Sequence, residues 1–191
     1  MTEDPSEDGY LAGQLLVAMP QMLDERFVKT VIYMCAHTED GAMGLVVNKI
    51  LDDIDFPDLL DQLDLHPSSG GDDIRVHFGG PVEAGRGFVL HSSDYRQEAT
   101  MVIDEQIALT ATTDILRDIA EGDGPKSSLL ALGYAGWGPG QLDAEIQANG
   151  WLSVDADLGL IFDYDPDKVW QRALAKIGID VSMLSGDAGH A

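Results

Sequence analysis

The stretch HFGGPVEAGRGFVLHSSDY, residues 77–95, decides the fold. Its first residues are predicted to end a strand at Gly79, Gly80 and Pro81, and FVLH at residues 88–91 starts a second strand. Two glycines ahead of a proline indicate special backbone angles or the close approach of another segment. We therefore expect other strands to pack against this stretch, although it contains no recognisable reaction motif.

The length and composition predict one domain. The chain has 191 residues, of which 45% are hydrophobic, and this is enough for a sizeable core. Residues 1–9 include four acids and are predicted to be a disordered arm. Residues 10–179 are predicted to form a single compact domain, and residues 180–191 a frayed tail.

The charge balance limits the classes of partner. There are 34 acidic residues against 11 basic ones, which gives a formal net charge of -23. Such a field repels phosphate backbones and anionic lipid surfaces. The expected partner is therefore a protein or a neutral or cationic small molecule, and direct binding to nucleic acid or membrane is disfavoured.

Cysteine usage and hydropathy indicate the compartment. A single cysteine, Cys35, excludes a disulfide within the chain. The acidic start MTEDPSEDGY does not resemble a signal peptide, and no apolar run approaches the ~20 residues that span a bilayer. We expect a cytoplasmic protein without a cofactor.

The order of elements favours an α+β domain. Strands are predicted at residues 11–19, 27–35, 43–47, 75–78, 88–91, 100–103, 107–111, 128–134, 151–154 and 158–162. Helices are predicted to start near Asp55, Thr113, Gly140 and Asp165. Because strands and helices do not alternate strictly, a mixed sheet flanked by helices is favoured over a doubly wound parallel sheet.

A glycine-rich segment before the third helix resembles a phosphate-binding loop in outline. Gly136, Gly138 and Gly140 precede the helix, where backbone amides can face an anion. The spacing matches neither the dinucleotide nor the P-loop pattern, and Pro139 lacks an amide hydrogen. The sequence therefore favours a tight strand-to-helix turn with Trp137 packed over it.

The third helix carries a polar stripe. Gln141, Glu145 and Asn149 follow one another at a spacing of four, which places them on one side of a helix. Beside Trp137 and Trp151 they can bind a small ligand or a peptide, or they can simply face solvent.

Arg86 is a cation between two glycines in a chain that has few cations. It is expected either to pair with a carboxylate such as Glu83 or Asp94 and fix the turn, or to receive an anionic ligand helped by the amides near Gly79 and Gly80. The structural role is favoured, since an acidic protein offers many carboxylates.

Histidines and the cysteine are the other candidates for chemistry. His37, His77 and His91 lie near predicted strand ends, but the local spacing of a zinc site is absent, so no metal is expected. Cys35 lies inside an apolar strand, where a thiol usually packs as a core side chain rather than acting as a nucleophile.

Three long segments resemble the YqgE/AlgH family of bacterial cytoplasmic proteins. They are GQLLVAMPQMLDERFVKTVIYMCAHTEDGAMGLVVNK, HFGGPVEAGRGFVLHSSDY and LGYAGWGPGQLDAEIQANGWL, in that order, and the likeness covers residues 13–178. The resemblance implies an α+β fold with a mixed, branched sheet that includes a small barrel-like part. It implies no agreed activity. Some family members carry the label of transcriptional regulator.

The regulator label has little support in the residues themselves. The only basic stripe, Lys168, Arg172 and Lys176, lies on the last helix and does not make the concentrated basic surface that DNA binding needs. A regulator that contacts DNA is therefore one alternative, and a hydrolase or transferase that uses Cys35 or the histidines is another. A regulator acting through another protein stays open.

The favoured interpretation is a non-enzymatic module that binds a protein or a small ligand. Its predicted binding surface lies at residues 79–86 and 136–149. The candidate residues are Gly79, Gly80, Arg86, Gly136, Trp137, Gly138, Gln141, Glu145 and Asn149.

Overall fold

Nine strands and four helices make up the described part of the chain. The structure, a computed structural model, describes residues 11–20, 25, 27–62, 64, 75–111, 113–148, 150–163 and 165–179. In chain order the strands are β1 Gln14–Ala18, β2 Val31–Thr38, β3 Gly41–Val46, β4 Val76–Phe78, β5 Val82–Ser92, β6 Met101–Val102, β7 Ile107–Thr110, β8 Ser128–Trp137 and β9 Trp151–Asp155. The helices are α1 Phe56–Gln62, α2 Thr113–Glu121, α3 Gln141–Gln147 and α4 Pro166–Lys176, and a π-helical turn occupies Gly159–Asp163. The predicted arm at residues 1–9 and the predicted tail at residues 180–191 lie outside the described residues.

These strands form one sheet that branches at β8. The main path runs β6-β7-β5-β8-β3-β2-β1-β9, and β4 pairs with β8 off this path. β8 pairs antiparallel with β3 and β5 and parallel with β4, so the sheet is mixed. It curls into a half-barrel flanked by helices. The predicted α+β domain with a mixed, branched sheet is confirmed.

Apolar residues on both faces of the sheet are buried. In β1, Leu15 and Val17 pack in one cluster with residues of α4, while Leu16 and Ala18 pack in another cluster with Leu142 of α3. Successive side chains of a strand point to opposite faces, and here each face is covered. This explains why β1 is a continuous apolar run rather than an alternating one.

Several strand boundaries differ from the prediction, and β5 begins at Val82 rather than at residue 88, because Val82 already pairs with Tyr134 of β8. β2 begins at Val31 rather than at residue 27, because Lys29 has φ +53°, which extended backbone does not adopt. β8 continues to Trp137, because Gly136 and Trp137 pair with Met43 and Ala42 of β3. The first half of the predicted glycine loop is therefore strand.

The strand predicted at residues 158–162 is wrong, because the backbone there is a π-helical turn. The Asp157 carboxylate accepts the N–H of Gly159 at 2.8 Å, and the Asp157 carbonyl accepts the N–H of Ile161 at 3.1 Å. Leu160 and Ile161, adjacent in sequence, are both buried in one cluster. A helical turn allows this, whereas a strand points neighbours to opposite faces.

The predicted helix starts are confirmed at two acidic caps. Asp55 Oδ1 accepts the N–H of Asp58 at 2.9 Å, and Asp165 Oδ1 accepts the N–H of Asp167 at 3.1 Å. Each carboxylate satisfies an amide that the helix itself leaves without a partner.

Candidate functional site

A cleft of about 570 Å³ lies where three segments distant in sequence converge. They are the tip of the β2–β3 hairpin, the first half of β5 and the end of β8. The apolar side chains that line the cleft include Met43, Val82, Phe88 and Tyr134. Its polar lining includes Thr38, Asp40, Glu83 and Arg86.

A bulge in β5 forms one wall of the cleft. Val82 pairs with Tyr134 and Gly87 pairs with Leu132, so the four residues 83–86 lie opposite Gly133 alone. Glu83, on this bulge, has φ +48°, a left-handed conformation that costs a residue with a side chain about 1–3 kcal/mol. Such outliers persist where surrounding contacts hold them, and they cluster at ligand sites.

Gly79 and Gly80 pack against the backbone of β8 and do not line the cleft. Both are buried, and a Cβ at Gly79 would lie 2.2 Å from the Gly133 carbonyl oxygen. A Cβ at Gly80 would lie 2.0 Å from the Tyr134 carbonyl carbon. The Gly79 amide donates to Leu132 O at 2.8 Å, so it is not directed at a ligand. The predicted close approach of another segment is therefore the backbone of β8.

Arg86 makes two contacts inside the cleft. Its Nη1 lies 3.6 Å from Glu83 Oε2, and its guanidinium carbon lies 5.1 Å from the centre of the Phe88 ring. The predicted pair with Glu83 is confirmed. Asp94 instead accepts hydrogen bonds from the Ser92 hydroxyl and from the Lys126 amide. The Ser92 hydrogen bond is the main cause that lowers the pKa of Asp94.

The turn between β8 and α3 is closed by hydrogen bonds between its own residues. The Gly138 amide donates to Gln141 Oε1 at 3.0 Å, and the Gln141 amide donates to the Gly138 carbonyl at 3.1 Å. Gly140 has φ +73°, which a residue without a Cβ adopts at no steric cost. These bonds favour the predicted tight turn over a phosphate cradle.

Glu145 holds the indoles of two tryptophans. Its Oε1 accepts the N–H of Trp137 at 3.1 Å and that of Trp151 at 3.0 Å, while its Oε2 accepts from Gln141 Nε2 at 3.0 Å. Both indoles are buried, so their N–H groups need this acceptor. The predicted stripe thus contacts the tryptophans, as expected, but its carboxylate is used within the protein. Asn149 lies outside the described residues.

The three histidines have separate partners. His37 Nδ1 accepts the Leu11 amide at 3.0 Å, and its Nε2 lies 3.5 Å from Asp143 Oδ1. His77 Nδ1 lies 3.2 Å from the Leu130 carbonyl oxygen, to which it donates. Within the described residues, no three histidine, cysteine or acidic side chains lie together as a metal site requires.

His91 ends a buried chain of hydroxyl groups. Its Nδ1 donates to the Ser92 carbonyl at 2.8 Å, so its Nε2 accepts from the Thr110 hydroxyl at 2.8 Å. Thr110 Oγ1 in turn lies 2.8 Å from Thr100 Oγ1. Burial lowers the pKa of His91, because the charged ring loses its hydration. The arrangement stabilises a neutral imidazole and presents no free nitrogen to a substrate.

Cys35 is a core residue. It is buried, its Sγ lies 3.8 Å from the Tyr33 carbonyl oxygen, and burial raises the pKa of its thiol to about 12. A thiol must lose its proton to act as a nucleophile. This environment therefore opposes catalysis by Cys35.

The basic stripe of α4 is partly engaged within the protein. Lys176 Nζ donates to the Asp155 carbonyl at 3.0 Å and lies 3.8 Å from Asp157 Oδ2. Arg172 also takes part in an interaction within the protein. These contacts reduce further the positive surface that α4 presents.

Sequence reasoning missed most of the residues that line the cleft. Met43, Phe88 and Tyr134 were not candidates, because an isolated apolar residue in a strand gives no signal of its own. Of the predicted site residues, Arg86, Gly136 and Trp137 line the cleft together. Asp40 was not a candidate either, although an acid at the tip of a hairpin is commonly exposed.

No helix in the described part of the chain has the length and apolar character needed to cross a membrane.

The sequence matches the family described as AlgH-like over residues 15–182, and the chain belongs to that family. The predicted resemblance is thereby confirmed. A UPF0301 protein of Rhodospirillum rubrum is 56% identical over 184 residues, which are 96% of each chain. Its name states no activity.

Two solved structures are similar to this chain over most of its length. The solution structure of the AlgH protein from Pseudomonas aeruginosa is 40% identical, has a TM-score of 0.79 and is matched over 100% of both chains. The crystal structure of a protein from Corynebacterium diphtheriae is 19% identical and has a TM-score of 0.72, over 87% of this chain and 86% of that one. The second likeness shows the fold alone.

Proposed function

We propose that this protein is a non-enzymatic binding module that holds a small organic ligand in the cleft between the β2–β3 hairpin, the β5 bulge and the end of β8. The observation that carries the proposal is the convergence of these segments around an apolar lining. The cleft, at about 570 Å³, falls within the roughly 300–1,000 Å³ typical of small-molecule sites.

The lining has the composition of a ligand site. Phe88 and Tyr134 stand edge to face with ring centres 5.7 Å apart, and Met43 and Val82 add further apolar surface. A few polar groups at the rim, including Asp40 and Arg86, can fix the orientation of a ligand. This combination supports binding more than catalysis, because the groups suited to catalysis, Cys35 and His91, are buried with their own partners.

The net charge argues against direct contact with nucleic acid or membranes, and this bears on how the protein could act. With a net charge of -23, direct contact with DNA or anionic lipid is unfavourable. The proposal keeps the cytoplasmic location that the sequence analysis expects. On this proposal any regulatory role is indirect, through a partner protein that senses whether the cleft is occupied.

Native mass spectrometry of the protein purified gently from its own cells tests the proposal. The native mass is compared with that of the denatured chain. We expect a reproducible excess of a few hundred daltons, since the cleft volume suits a ligand of that size. The ligand must be lost in Gly136→Leu, which fills the cleft, and kept in Ala111→Leu, which places the same new side chain at an exposed residue that does not line the cleft.

Two results would overturn the small-ligand proposal. A bare chain mass from several growth conditions would exclude tight binding of a small molecule. A discrete complex with another protein, unaffected by Gly136→Leu, would instead favour a protein-interaction module that uses a different surface.

A further inference from the structure

Arg86 occupies the cleft that the proposed function assigns to a ligand. Its guanidinium lies against the Phe88 ring, with a distance of 5.1 Å to the ring centre, and pairs with Glu83 at 3.6 Å. A cation over an aromatic face with a carboxylate beside it is the geometry in which proteins recognise ammonium and guanidinium ligands. The protein thus places one of its own few cations in a cation-binding arrangement.

From this we infer that the cleft recognises an alkylammonium or alkylguanidinium group, and that Arg86 is an internal placeholder which such a ligand displaces. The inference rests on the proposed function and names the ligand class of the same cleft.

The contacts of Arg86 are weak enough to be exchanged. The Arg86 and Glu83 side chains are 54% and 50% exposed, and exposed ion pairs contribute little net stability. Glu83 has a left-handed φ of +48° on the bulge, so the backbone keeps this residue at the rim at a conformational cost. A ligand cation can therefore replace the guanidinium at both contacts, because it pairs with Glu83 and covers the Phe88 ring in its place.

The opposite wall adds a second carboxylate. Asp40 lines the cleft at the tip of the β2–β3 hairpin, and its carboxylate forms no ion pair with any described residue. Asp40 and Glu83 thus outnumber Arg86 at the rim. The net charge of -23 also raises the local concentration of cations and lowers that of anions. Both facts favour a cationic ligand over an anionic one held by Arg86.

Three probes of similar size and different charge test the inference. Butylguanidinium is cationic, butylurea is its neutral counterpart, and pentanoate is anionic. Each is titrated at constant ionic strength into the full-length, isotope-labelled protein, and the amide NMR signals of Ala36, Ala42, Gly85 and Gly136 report binding in or beside the cleft. We expect butylguanidinium to bind most tightly.

Variants then separate displacement from general electrostatics. Arg86→Gln removes the placeholder and should raise the affinity for butylguanidinium about threefold, the equivalent of one exposed ion pair. Lys126→Gln makes the same change in net charge at an exposed residue that does not line the cleft, and should leave the affinity unchanged. Asp40→Asn should lower the affinity about threefold for the same reason.

The outcomes distinguish failure of this inference from failure of the proposed function on which it rests. If pentanoate binds most tightly and Arg86→Gln weakens it, the inference is overturned, while the cleft remains a ligand site. If no probe shifts the cleft signals and the native mass is that of the bare chain, both fail. A capped Gly-Arg-Gly peptide that binds more tightly than butylguanidinium would indicate a cation presented by a polypeptide, and weaker binding would indicate a free small molecule.

Discussion

Oε1 of Glu145 lies 3.1 Å from Nε1 of Trp137 and accepts its indole N–H, which links helix α3 to the end of β8 at the cleft. The same oxygen accepts the indole N–H of Trp151 in β9 at 3.0 Å. One carboxylate therefore ties together three elements that are separate in sequence.

Removing this acceptor should destabilise the protein. Glu145→Ala leaves two buried indole N–H groups without a partner, which should lower the free energy of unfolding by about 2–4 kcal/mol. Glu145→Gln keeps an acceptor oxygen and should cost about half as much. Urea unfolding followed by tryptophan fluorescence measures both. Glu98→Ala, an exposed control, should have little effect, and an equally small effect of Glu145→Ala would contradict the assigned role.

A side chain at Gly80 should prevent the β8 backbone from approaching. Gly80 has φ +156°, and an added Cβ would lie 2.0–2.3 Å from backbone atoms of Tyr134 and Ala135. Gly80→Ala should therefore lower the free energy of unfolding by more than about 4 kcal/mol, or yield no folded protein. Gly85→Ala is the matched control, because nothing lies within 4 Å of its Cβ position. Circular dichroism and thermal unfolding should show Gly85→Ala within about 0.5 kcal/mol of the parent chain. Equal stability of the two variants would contradict the observed packing.

The buried histidines should make stability depend on pH. Burial lowers the pKa of both His77 and His91, so the unfolded chain binds more protons than the folded one when the pH falls below the ordinary histidine value of about 6.5. The free energy of unfolding should fall below that pH, by at most about 1.4 kcal/mol per pH unit for each histidine, and should not change through these groups above it.

Variants assign the part of this effect that belongs to His91. His91→Gln should make the decrease between pH 6.5 and 5 shallower. Thr110→Val removes the hydroxyl that donates to Nε2 but leaves the ring, so the chain should be less stable at every pH while the decrease persists. A free energy of unfolding that stays level between pH 7 and 5 in the parent chain would show that the rings are not held neutral.

Cys35 should react only after unfolding. Because burial raises the pKa of its thiol to about 12, an aromatic disulfide reagent at pH 8 should leave the native protein unlabelled and should label one thiol per chain in urea. Rapid labelling of the native protein would revive the alternative of a cysteine-dependent enzyme.

Direct DNA binding should be absent even at low salt. The net charge is -23, and Lys176 of the α4 stripe already contacts Asp155 and Asp157. The protein therefore lacks the electrostatic attraction to phosphates, which is the interaction that lower salt strengthens. Fluorescence anisotropy with a labelled duplex at ~20 mM salt should show no binding, and an affinity that falls steeply with added salt would support a regulator that contacts DNA.

Local chemistry made much of the architecture predictable. Asp55 and Asp165 cap helices because a carboxylate satisfies amides two or three residues ahead, and that contact depends only on nearby residues. Arg86 and Glu83, three residues apart, could be paired for a similar reason. The turn at Gly138 likewise closes within its own segment.

The predictions that failed came from sequence patterns that are compatible with two different structures. The apolar residues 158–162 suit a buried strand or a helical turn, and the hydrogen bonds that Asp157 accepts from Gly159 and Ile161 favour the turn. The side of α3 that carries Gln141 and Glu145 can contact a ligand or another part of the protein. Here the Glu145 carboxylate accepts the N–H groups of the two indoles. Such choices depend on which distant residues arrive there.

The sequence by itself determined the α+β class, the acidic character, the family and, apart from residues 158–162, the order of strands and helices. The class, the order and the acidic character follow from composition, periodicity and contacts between near neighbours in the chain, whereas the family follows from the three segments that resemble it. Only the tertiary structure decided that Asp40, Arg86 and Tyr134 meet in one cleft, and that Gly79 and Gly80 serve β8 rather than a ligand. These relationships arise from the pairing of β8 with β3, β4 and β5, whose register depends on long-range packing that no local pattern specifies.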